Sequence, residues 1–136
     1  MLYLHENKEQ LVHTSDYLDI KVNLKDKMLV SIWQGWLDTA KGHSGCVKIL
    51  NYVNEYKITK ILNDNSKVTG HSGDTKWMIE VWIPSLREAG VNYFAWVYSH
   101  EFFTQLEIDN TVDQSTGISM RTFFLQEDAR QWLQDF

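Results

Sequence analysis

The chain has 136 residues, of which 43% are hydrophobic and 13% aromatic, and it carries a formal net charge of −5. This length fits one domain with a substantial core, and so high an apolar fraction argues against extensive disorder. The thirteen Lys and Arg residues are scattered along the sequence, which therefore lacks the concentrated positive charge of a nucleic-acid-binding groove. We expect no nucleic-acid partner.

Cysteine content and hydropathy narrow the class further. The single cysteine, Cys46, excludes an internal disulfide framework and a cysteine-rich zinc site. The first residues lack an apolar stretch long enough for a signal peptide, and no segment approaches the roughly 18 apolar residues of a membrane span. These features predict a cytoplasmic protein without an integral membrane segment.

The first half of the chain predicts a β-hairpin followed by a helix. Apolar and polar residues alternate over 17–24, and a second strand pattern covers 28–36 after a polar turn. A further short strand is expected around Leu2 to His5. A helix then begins with Asp38 or Thr39 as its N-cap, and its apolar residues recur at helical spacing: Cys46, Ile49, Leu50 and Val53.

The middle of the chain predicts a short strand, a polar turn and a second helix. The strand covers 59–64, and the stretch from Asn63 to Gly73 is rich in residues that build turns. Asp74 is a suitable N-cap for a helix that ends at Gly90. Pro84 is expected to kink this helix because proline lacks a backbone donor. The inward residues are expected to be Met78, Val81, Trp82, Leu86 and Ala89.

The last third predicts two strands and two helices. The nearly all-apolar segment 92–98 is typical of a central strand. Ser99 is expected to cap a short helix bearing Phe102, Phe103 and Leu106, and 108–119 is expected to be a polar loop. A strand over 120–125 precedes a final helix whose apolar face holds Ala129, Trp132, Leu133 and Phe136.

This order of elements predicts an α/β fold. An N-terminal β-hairpin is followed by alternating helices and strands, which gives a mixed, mostly parallel sheet of about five strands flanked by about four helices. We expect residues 1–136 to form a single domain, with 1–16 as a short extra strand or an arm.

Five local motifs are shared with a known group of proteins. They are Ile61-Leu62-Asn63-Asp64-Asn65, Val68-Thr69-Gly70, Trp82-Ile83-Pro84 with Ala89-Gly90, Tyr93-Phe94-Ala95-Trp96-Val97-Tyr98-Ser99, and Ala129-Arg130-Gln131-Trp132-Leu133. Over roughly 17–136 the chain resembles the STAS-like proteins of the stage II sporulation AA type, a group related in fold to anti-sigma-factor antagonists and CRAL-TRIO lipid-binding domains. It looks especially like an uncharacterised branch of that group. The resemblance implies a STAS-like fold.

The turn from Asn63 to Gly73 is the candidate binding site. In open parallel sheets ligands lie outside the carboxyl ends of the strands, and the free backbone donors at the start of the next helix favour an anion. A purely structural role in turns and caps is the alternative interpretation. The candidate residues are Asn63, Asp64, Asn65, His71, Ser72, Trp77, Ser99 and His100.

Ser72 is also a candidate phosphoacceptor, on the strength of the resemblance. In anti-sigma-factor antagonists, a serine just before a glycine at the start of the helix after this strand is phosphorylated, which blocks partner binding. His71-Ser72-Gly73 stands nearest to that position here. The usual Asp-Ser-Ser-Gly run of those proteins is absent from this sequence, and the loop spacing differs.

The sequence shows no catalytic or metal-binding motif. His43 and Cys46 are only two potential ligands, and Cys46 falls on the apolar face of its helix. Asp64, His71 and Ser72 are residue types of a hydrolytic triad, but a Gly-x-Ser-x-Gly elbow is missing. We therefore predict no catalytic residue, no metal and no cofactor.

Together these features predict a non-enzymatic binding or regulatory module. Its partner would be a protein or a small apolar or anionic ligand bound at 63–73. One alternative is a carrier of an apolar ligand or lipid in a pocket near the kinked helix 75–89, and another is an unrecognised enzyme. Residues that are candidates for an exposed apolar pocket or partner surface are Trp33, Trp36, Trp77, Phe102 and Phe103. A homodimer through the hairpin or through this surface is compatible with the sequence.

Overall fold

A computed structural model of the chain describes residues 8–136, which form one six-stranded sheet with helices on both faces. The strands are β1 (Gln10–Thr14), β2 (Leu18–Asn23), β3 (Met28–Leu37), β4 (Lys60–His71), β5 (Tyr93–Val97) and β6 (Ser119–Phe123). The helices are α1 (Thr39–Tyr56), α2 (Thr75–Trp77), α3 (Ile83–Glu88), α4 (Phe102–Gln114) and α5 (Gln126–Gln134), and a π-helical turn (Met78–Trp82) joins α2 to α3. The strand expected around Leu2 to His5 lies outside the described residues.

Every strand lies beside its neighbour in sequence. The sheet order is β1-β2-β3-β4-β5-β6, with antiparallel pairing from β1 to β3 and parallel pairing from β3 to β6. This confirms the predicted α/β class with a mixed, mostly parallel sheet. The sheet has six strands rather than about five because β1 precedes the predicted hairpin.

The sequential strand order decides which face each helix covers. Parallel connections are right-handed, so three crossovers that advance in the same direction place α1, α2–α3 and α4 on one face. The larger core lies between these helices and the sheet, and its fully buried members include Leu29, Ile49, Ile61, Leu86 and Phe94. α5 covers the other face over a smaller core that includes Val30, Leu62, Ala95, Ala129 and Leu133. Within residues 8–136, no helix has the length and apolarity needed to cross a membrane.

The predicted polar turn from Asn63 to Gly73 is wrong, because β4 continues through His71. β4 pairs with β5 only as far as Asp64 but stays paired with β3 to its end. The β3–β4 register shifts twice in this second half, and Asp64 Oδ1 accepts from the Ser66 backbone N–H at 2.8 Å beside the first shift. Polar residues are stable in this strand because partners on neighbouring elements satisfy them.

The second predicted helix is confirmed at its ends and interrupted in its middle. Asp74 accepts a hydrogen bond from the Trp77 backbone N–H at 3.1 Å, and the chain leaves the helix at Gly90 with φ +110°. The π-helical turn ends just before α3, so Pro84 lies in the first turn of a new helical segment, where its missing donor is tolerated. Val81, expected to face inward, is 47% exposed because the π-helical turn changes the angular spacing of side chains.

The predicted loop over 108–119 is also wrong, since α4 runs to Gln114. Thr104, Ile108 and Thr111 are the buried residues of α4, and their spacing of four and three gives one face to the core. The N-cap is Glu101 and not Ser99, because its carboxylate accepts from the backbone N–H groups of Phe103 and Thr104.

Candidate functional site

A cavity of about 80 Å³ lies at the carboxyl ends of β3 and β4, bounded by residues of α1, α2 and α4. We call it the strand-end cavity. Four tryptophans contribute to its wall: Trp33, Trp77, Trp82 and Trp96. Its polar and titratable lining residues are Asp38, Thr39, His43, Cys46, Asn63, Asn65, His71, Asp74, Thr75, Glu107 and Thr111. The site therefore combines large aromatic surfaces with polar groups from segments that lie far apart in the sequence.

The polar wall formed by the sheet is fixed by the amide of Asn63. Asn63 is the register partner of Ser31 across the β3–β4 pair, and its Oδ1 accepts from Ser31 Oγ at 2.6 Å and from Trp33 Nε1 at 2.8 Å. Its Nδ2 donates to Asn65 Oδ1 at 3.4 Å. Asn63 is 2% exposed, so these bonds replace the hydrogen bonds to water that the amide loses on burial.

Two histidine–carboxylate contacts connect the elements around the cavity. His43 Nε2 lies 3.3 Å from Asp74 Oδ2, and the imidazole stacks on Trp77 with ring centroids 4.1 Å apart. His71 Nε2 lies 2.9 Å from Glu107 Oε2, linking the end of β4 to α4. Each contact is an ion pair when its imidazole is protonated.

Three buried side-chain polar atoms within 8–136 lack an aligned hydrogen bond: His43 Nε2, Trp96 Nε1 and Glu107 Oε2. All three residues line the strand-end cavity. His43 and Glu107 still have the contacts just described, whereas Trp96 Nε1 has no hydrogen-bond partner in the part of the chain that the structure describes. An unpaired buried donor costs about 1–3 kcal/mol, so its presence here requires an explanation beyond packing.

One face of α1 supplies part of the wall. Thr39, Gly42, His43 and Cys46 all line the cavity, as residues at spacings of three and four on one helix face do. Burial raises the pKa of the Cys46 thiol, which therefore stays neutral and behaves as a small apolar group.

The structure brings together only part of the predicted site. Asn63, Asn65, His71 and Trp77 line the cavity. Ser72 is exposed at the end of β4, and its Oγ lies 3.5 Å from Oγ of Thr39, which lines the cavity; Ser72 therefore lies at the rim.

Three other candidates lie elsewhere. Asp64 points to the α5 face, where its Oδ2 accepts from Gln126 Nε2 at 2.7 Å. Ser99 is buried and donates to the Val68 carbonyl at 2.7 Å, which satisfies a backbone acceptor beyond the end of β5. His100 is exposed and is not among the lining residues. Asp64 and Ser99 therefore have structural partners instead of cavity contacts.

The sequence interpretation missed several lining residues, above all His43, Asp74, Trp96 and Glu107. A helical-face plot of α1 groups His43 with Thr39, Gly42 and Cys46, so that signal was available. Trp96 and Glu107 belong to β5 and α4, and no local pattern relates them to His43. Among residues 8–136, no group of three or more His, Cys, Asp or Glu side chains is placed to hold a metal ion.

The fold is shared with solved structures. The chain is similar to the anti-sigma factor antagonist SpoIIAA in its unphosphorylated form, with a TM-score of 0.58 and 12% identity over 95% of this chain and 100% of SpoIIAA. It is similar to an uncharacterized protein of the DUF3478 family with a SpoIIAA-like fold from Shewanella loihica PV-4, with a TM-score of 0.53 and 17% identity over 98% of each chain. It is also similar to apo-SiaC from Pseudomonas aeruginosa, with a TM-score of 0.53 and 12% identity over 85% of this chain and 98% of SiaC.

These likenesses confirm that the chain has the predicted STAS-like, SpoIIAA-like fold. No protein-family model matches the sequence, and no curated protein matches it. Identities of 12–17% show shared architecture alone, so the role of the chain must be argued from its own side chains.

Proposed function

We propose that this chain is a non-enzymatic regulatory module that binds a protein partner or a small ligand at the strand-end cavity and its rim. The observation that carries the proposal is the convergence of aromatic and buried polar side chains from β3, β4, β5, α1 and α4 on one cavity. A concave site with apolar walls and a few convergent polar groups is the usual form of a binding site. The SpoIIAA-like fold adds support, because SpoIIAA is described as an antagonist of another protein.

The size of the cavity limits what enters it. Its volume of about 80 Å³ is well below the roughly 300–1,000 Å³ of pockets that enclose a drug-sized ligand. The alternative of a lipid carrier has one supporting observation, since Trp77, Met78 and Trp82 of the interrupted helix line the cavity. A whole acyl chain does not fit this volume, however. We therefore favour a ligand or partner that inserts one small group and makes its other contacts at the rim.

A catalytic role has less support than binding. The candidate nucleophile Cys46 is buried, and burial raises the pKa of its thiol. His71 contacts Glu107, while the hydroxyl of Ser72 contacts Thr39, so the two adjacent residues have different partners. Neither the buried thiol nor the His71–Ser72 pair is arranged for proton transfer, and binding requires no proton transfer.

We further propose that phosphorylation of Ser72 regulates binding. Ser72 is exposed at the rim, and a phosphate there adds negative charge close to a cavity whose lining already includes Asp38, Asp74 and Glu107. The added charge is expected to repel an acidic group, and its desolvation cost opposes burial under an apolar one. Ser72→Glu should weaken partner binding at least about five-fold while Ser72→Ala leaves it unchanged, as measured by calorimetry with an identified partner. Equal affinity of both variants would refute the switch.

Proximity labelling in cells of the source organism tests the proposed function. Tagged wild-type protein is compared with Asn65→Ala and Trp77→Ala, which alter the cavity, and with Gln131→Ala, an exposed position of α5 on the opposite face. Partners recovered with the wild type and with Gln131→Ala should be depleted at least about ten-fold by the two cavity variants, as expected for central interface residues. If both cavity variants retain every partner at wild-type yield, the placement of the site is wrong.

A further inference from the structure

We infer that the strand-end cavity binds a small uncharged molecule that carries a hydrogen-bond acceptor beside a donor, the pattern of a primary amide. This inference rests on the proposed function and specifies the chemical class of the bound group. It follows from three properties of the cavity: its buried polar atoms without aligned hydrogen bonds, its volume and its charge.

Two buried polar atoms of the cavity favour a ligand that carries both an acceptor and a donor. Trp96 is 3% exposed, and its Nε1–H can only donate, so it requires an acceptor. Glu107 Oε2 has the contact of 2.9 Å with His71 Nε2 but no aligned hydrogen bond, so this carboxylate oxygen can accept one from a ligand donor. A primary amide supplies a carbonyl oxygen and an N–H₂ group a short distance apart. A pure hydrocarbon satisfies neither atom.

The volume sets the number of atoms. About 80 Å³ is roughly half of an engineered cavity of about 150 Å³ that accepts benzene, and it corresponds to two or three waters at about 30 Å³ each. An organic group of four or five non-hydrogen atoms fills such a space. The carboxamide group with one attached carbon has four.

The charge of the lining excludes the two ionic alternatives as preferred ligands. Among the lining residues, the titratable groups are three carboxylates (Asp38, Asp74 and Glu107), two imidazoles (His43 and His71) and the neutral thiol of Cys46, with no Lys or Arg. An anion lacks a permanent positive partner, so its desolvation is uncompensated. A cation leaves Trp96 Nε1–H unpaired. The helix start that was expected to attract an anion is capped by the Asp74 carboxylate.

Four probes of equal size separate these possibilities. Acetamide, acetone, acetate and guanidinium each have four non-hydrogen atoms, and they are respectively a neutral donor and acceptor, a neutral acceptor, an anion and a cation. Each is titrated into the 136-residue chain near neutral pH while the six tryptophan indole N–H signals are followed by NMR. The Trp96 signal is assigned by its loss in Trp96→Phe.

Acetamide is expected to shift the Trp96 indole signal saturably, with a dissociation constant between roughly tens of micromolar and several millimolar, the range open to four non-hydrogen atoms. Acetone should bind about five-fold more weakly because it lacks the donor for Glu107, and acetate at least about ten-fold more weakly. Trp96→Phe, followed through the indole signals of the other lining tryptophans Trp33, Trp77 and Trp82, should bind acetamide about five-fold or more weakly. Glu107→Met should weaken acetamide binding to a similar degree, and it keeps the test valid if Trp96→Phe unfolds. Trp132→Phe, on the α5 face, is the matched control and should bind acetamide like the wild type.

Three results would overturn the inference: no probe shifts the Trp96 signal, acetate or guanidinium binds most tightly, or Trp96→Phe and Glu107→Met bind acetamide like the wild type. The proposed function has a separate outcome. Partners lost by Asn65→Ala and Trp77→Ala in cells would still support a binding site at the rim even if acetamide fails to bind.

Discussion

Two glycines three residues apart in α1 show how single missing side chains shape the wall of the strand-end cavity. A Cβ added to Gly45 would lie 2.3 Å from Cη2 and 2.6 Å from Cζ3 of Trp33, and 3.0 Å from Leu18. A Cβ added to Gly42 would meet no atom within 4 Å. Gly45 thus allows the indole of Trp33 to pack against the helix backbone and reach Asn63, whereas Gly42 has no comparable packing role.

Alanine at these two positions should have opposite effects on stability. Gly42→Ala should stabilise the protein by up to about 1 kcal/mol, because alanine restricts the unfolded chain and fits a helix. Gly45→Ala should destabilise it by roughly 1–3 kcal/mol, because Trp33 must move. Urea denaturation followed by circular dichroism measures both. A Gly45→Ala protein as stable as Gly42→Ala would contradict the close packing of Trp33.

The Asn63 amide provides a second test at the residue scale. Asn63→Leu removes the acceptor for Ser31 Oγ and Trp33 Nε1, which leaves Trp33 Nε1 unpaired and Ser31 Oγ with only its contact of 3.5 Å to the Leu62 carbonyl, and should cost about 2–4 kcal/mol. Ser31→Ala removes one donor to Asn63 Oδ1 but leaves that oxygen bonded to Trp33 Nε1. It should therefore cost less, about 1 kcal/mol. Chemical denaturation of both variants gives the comparison. Equal losses would mean that the Trp33–Asn63 bond contributes little.

At the scale of elements, local patterns predicted the strands and helices whose polar and apolar residues separate cleanly. The hairpin of β2 and β3, the capped helix α1 and the apolar strand β5 are confirmed. The second half of β4 was missed because its polar residues resemble a turn, and its partners lie far away in sequence: Glu107 for His71 and Ser99 for the Val68 carbonyl. The end of α4 was missed because its buried face uses threonines, which carry no strong apolar signal.

The candidate site was predictable only where it belongs to one segment. Asn63, Asn65, His71 and Trp77 could be proposed because they follow one another near the carboxyl end of a predicted strand. His43, Trp96 and Glu107 meet only after the right-handed crossovers stack α1 and α4 on the same face of the sheet. The sequence therefore indicates at which edge of the sheet the site lies, but it does not indicate all the side chains that line the cavity.

The N-cap of α4 predicts a pH-dependent contribution to stability. The hydrogen bond from the Thr104 hydroxyl, together with those from the backbone N–H groups of Thr104 and Phe103, lowers the pKa of Glu101 below its ordinary value of 4.5. A carboxyl group whose pKa is lowered in the folded state stabilises that state above its unfolded pKa and loses this effect as the pH falls through the folded value. Glu101→Gln should therefore be less stable than the wild type at pH 7, and the difference should vanish below the lowered pKa.

Thermal unfolding from pH 7 down to pH 3 measures this difference. Glu55→Gln, which changes an exposed carboxylate of α1, is the control for general charge effects. A pH-independent difference between Glu101→Gln and the wild type would show that the cap does not depend on the ionised carboxylate.

At the scale of the whole molecule, a chain of polar contacts connects the beginning of the described structure to its last helix. Glu9 accepts two hydrogen bonds from the guanidinium of Arg130, one of them from Nη2 at 2.9 Å. Arg130 Nε donates to Gln126 Oε1 at 3.0 Å, and Gln126 in turn donates to Asp64 in β4. The hydrogen bonds to Glu9 raise the pKa of Arg130, which keeps its charge throughout the ordinary pH range. Residues 9, 64 and 130 are therefore held as one unit on the α5 face.

Breaking this connection should loosen α5 without affecting the strand-end cavity. Glu9→Gln removes the carboxylate and should cost about 1 kcal/mol at low salt, because the pair is half-buried and has two-point geometry. In 1 M NaCl the difference from the wild type should shrink through screening. Hydrogen exchange should show faster exchange in α5 but not in α1. Unchanged exchange in α5 would refute the role of Glu9.

The sequential strand order also bears on how the protein is made. Each new strand pairs with the strand synthesised just before it, so the sheet can grow at one edge while the ribosome is still adding residues. Few long loops must close before native pairing begins, which lowers the entropic barrier to each step. The face under α5 is the exception, because α5 is the last helix to emerge. We expect nascent chains that end near residue 124 to have a formed sheet with one apolar face uncovered, which makes that late intermediate the species most prone to aggregate.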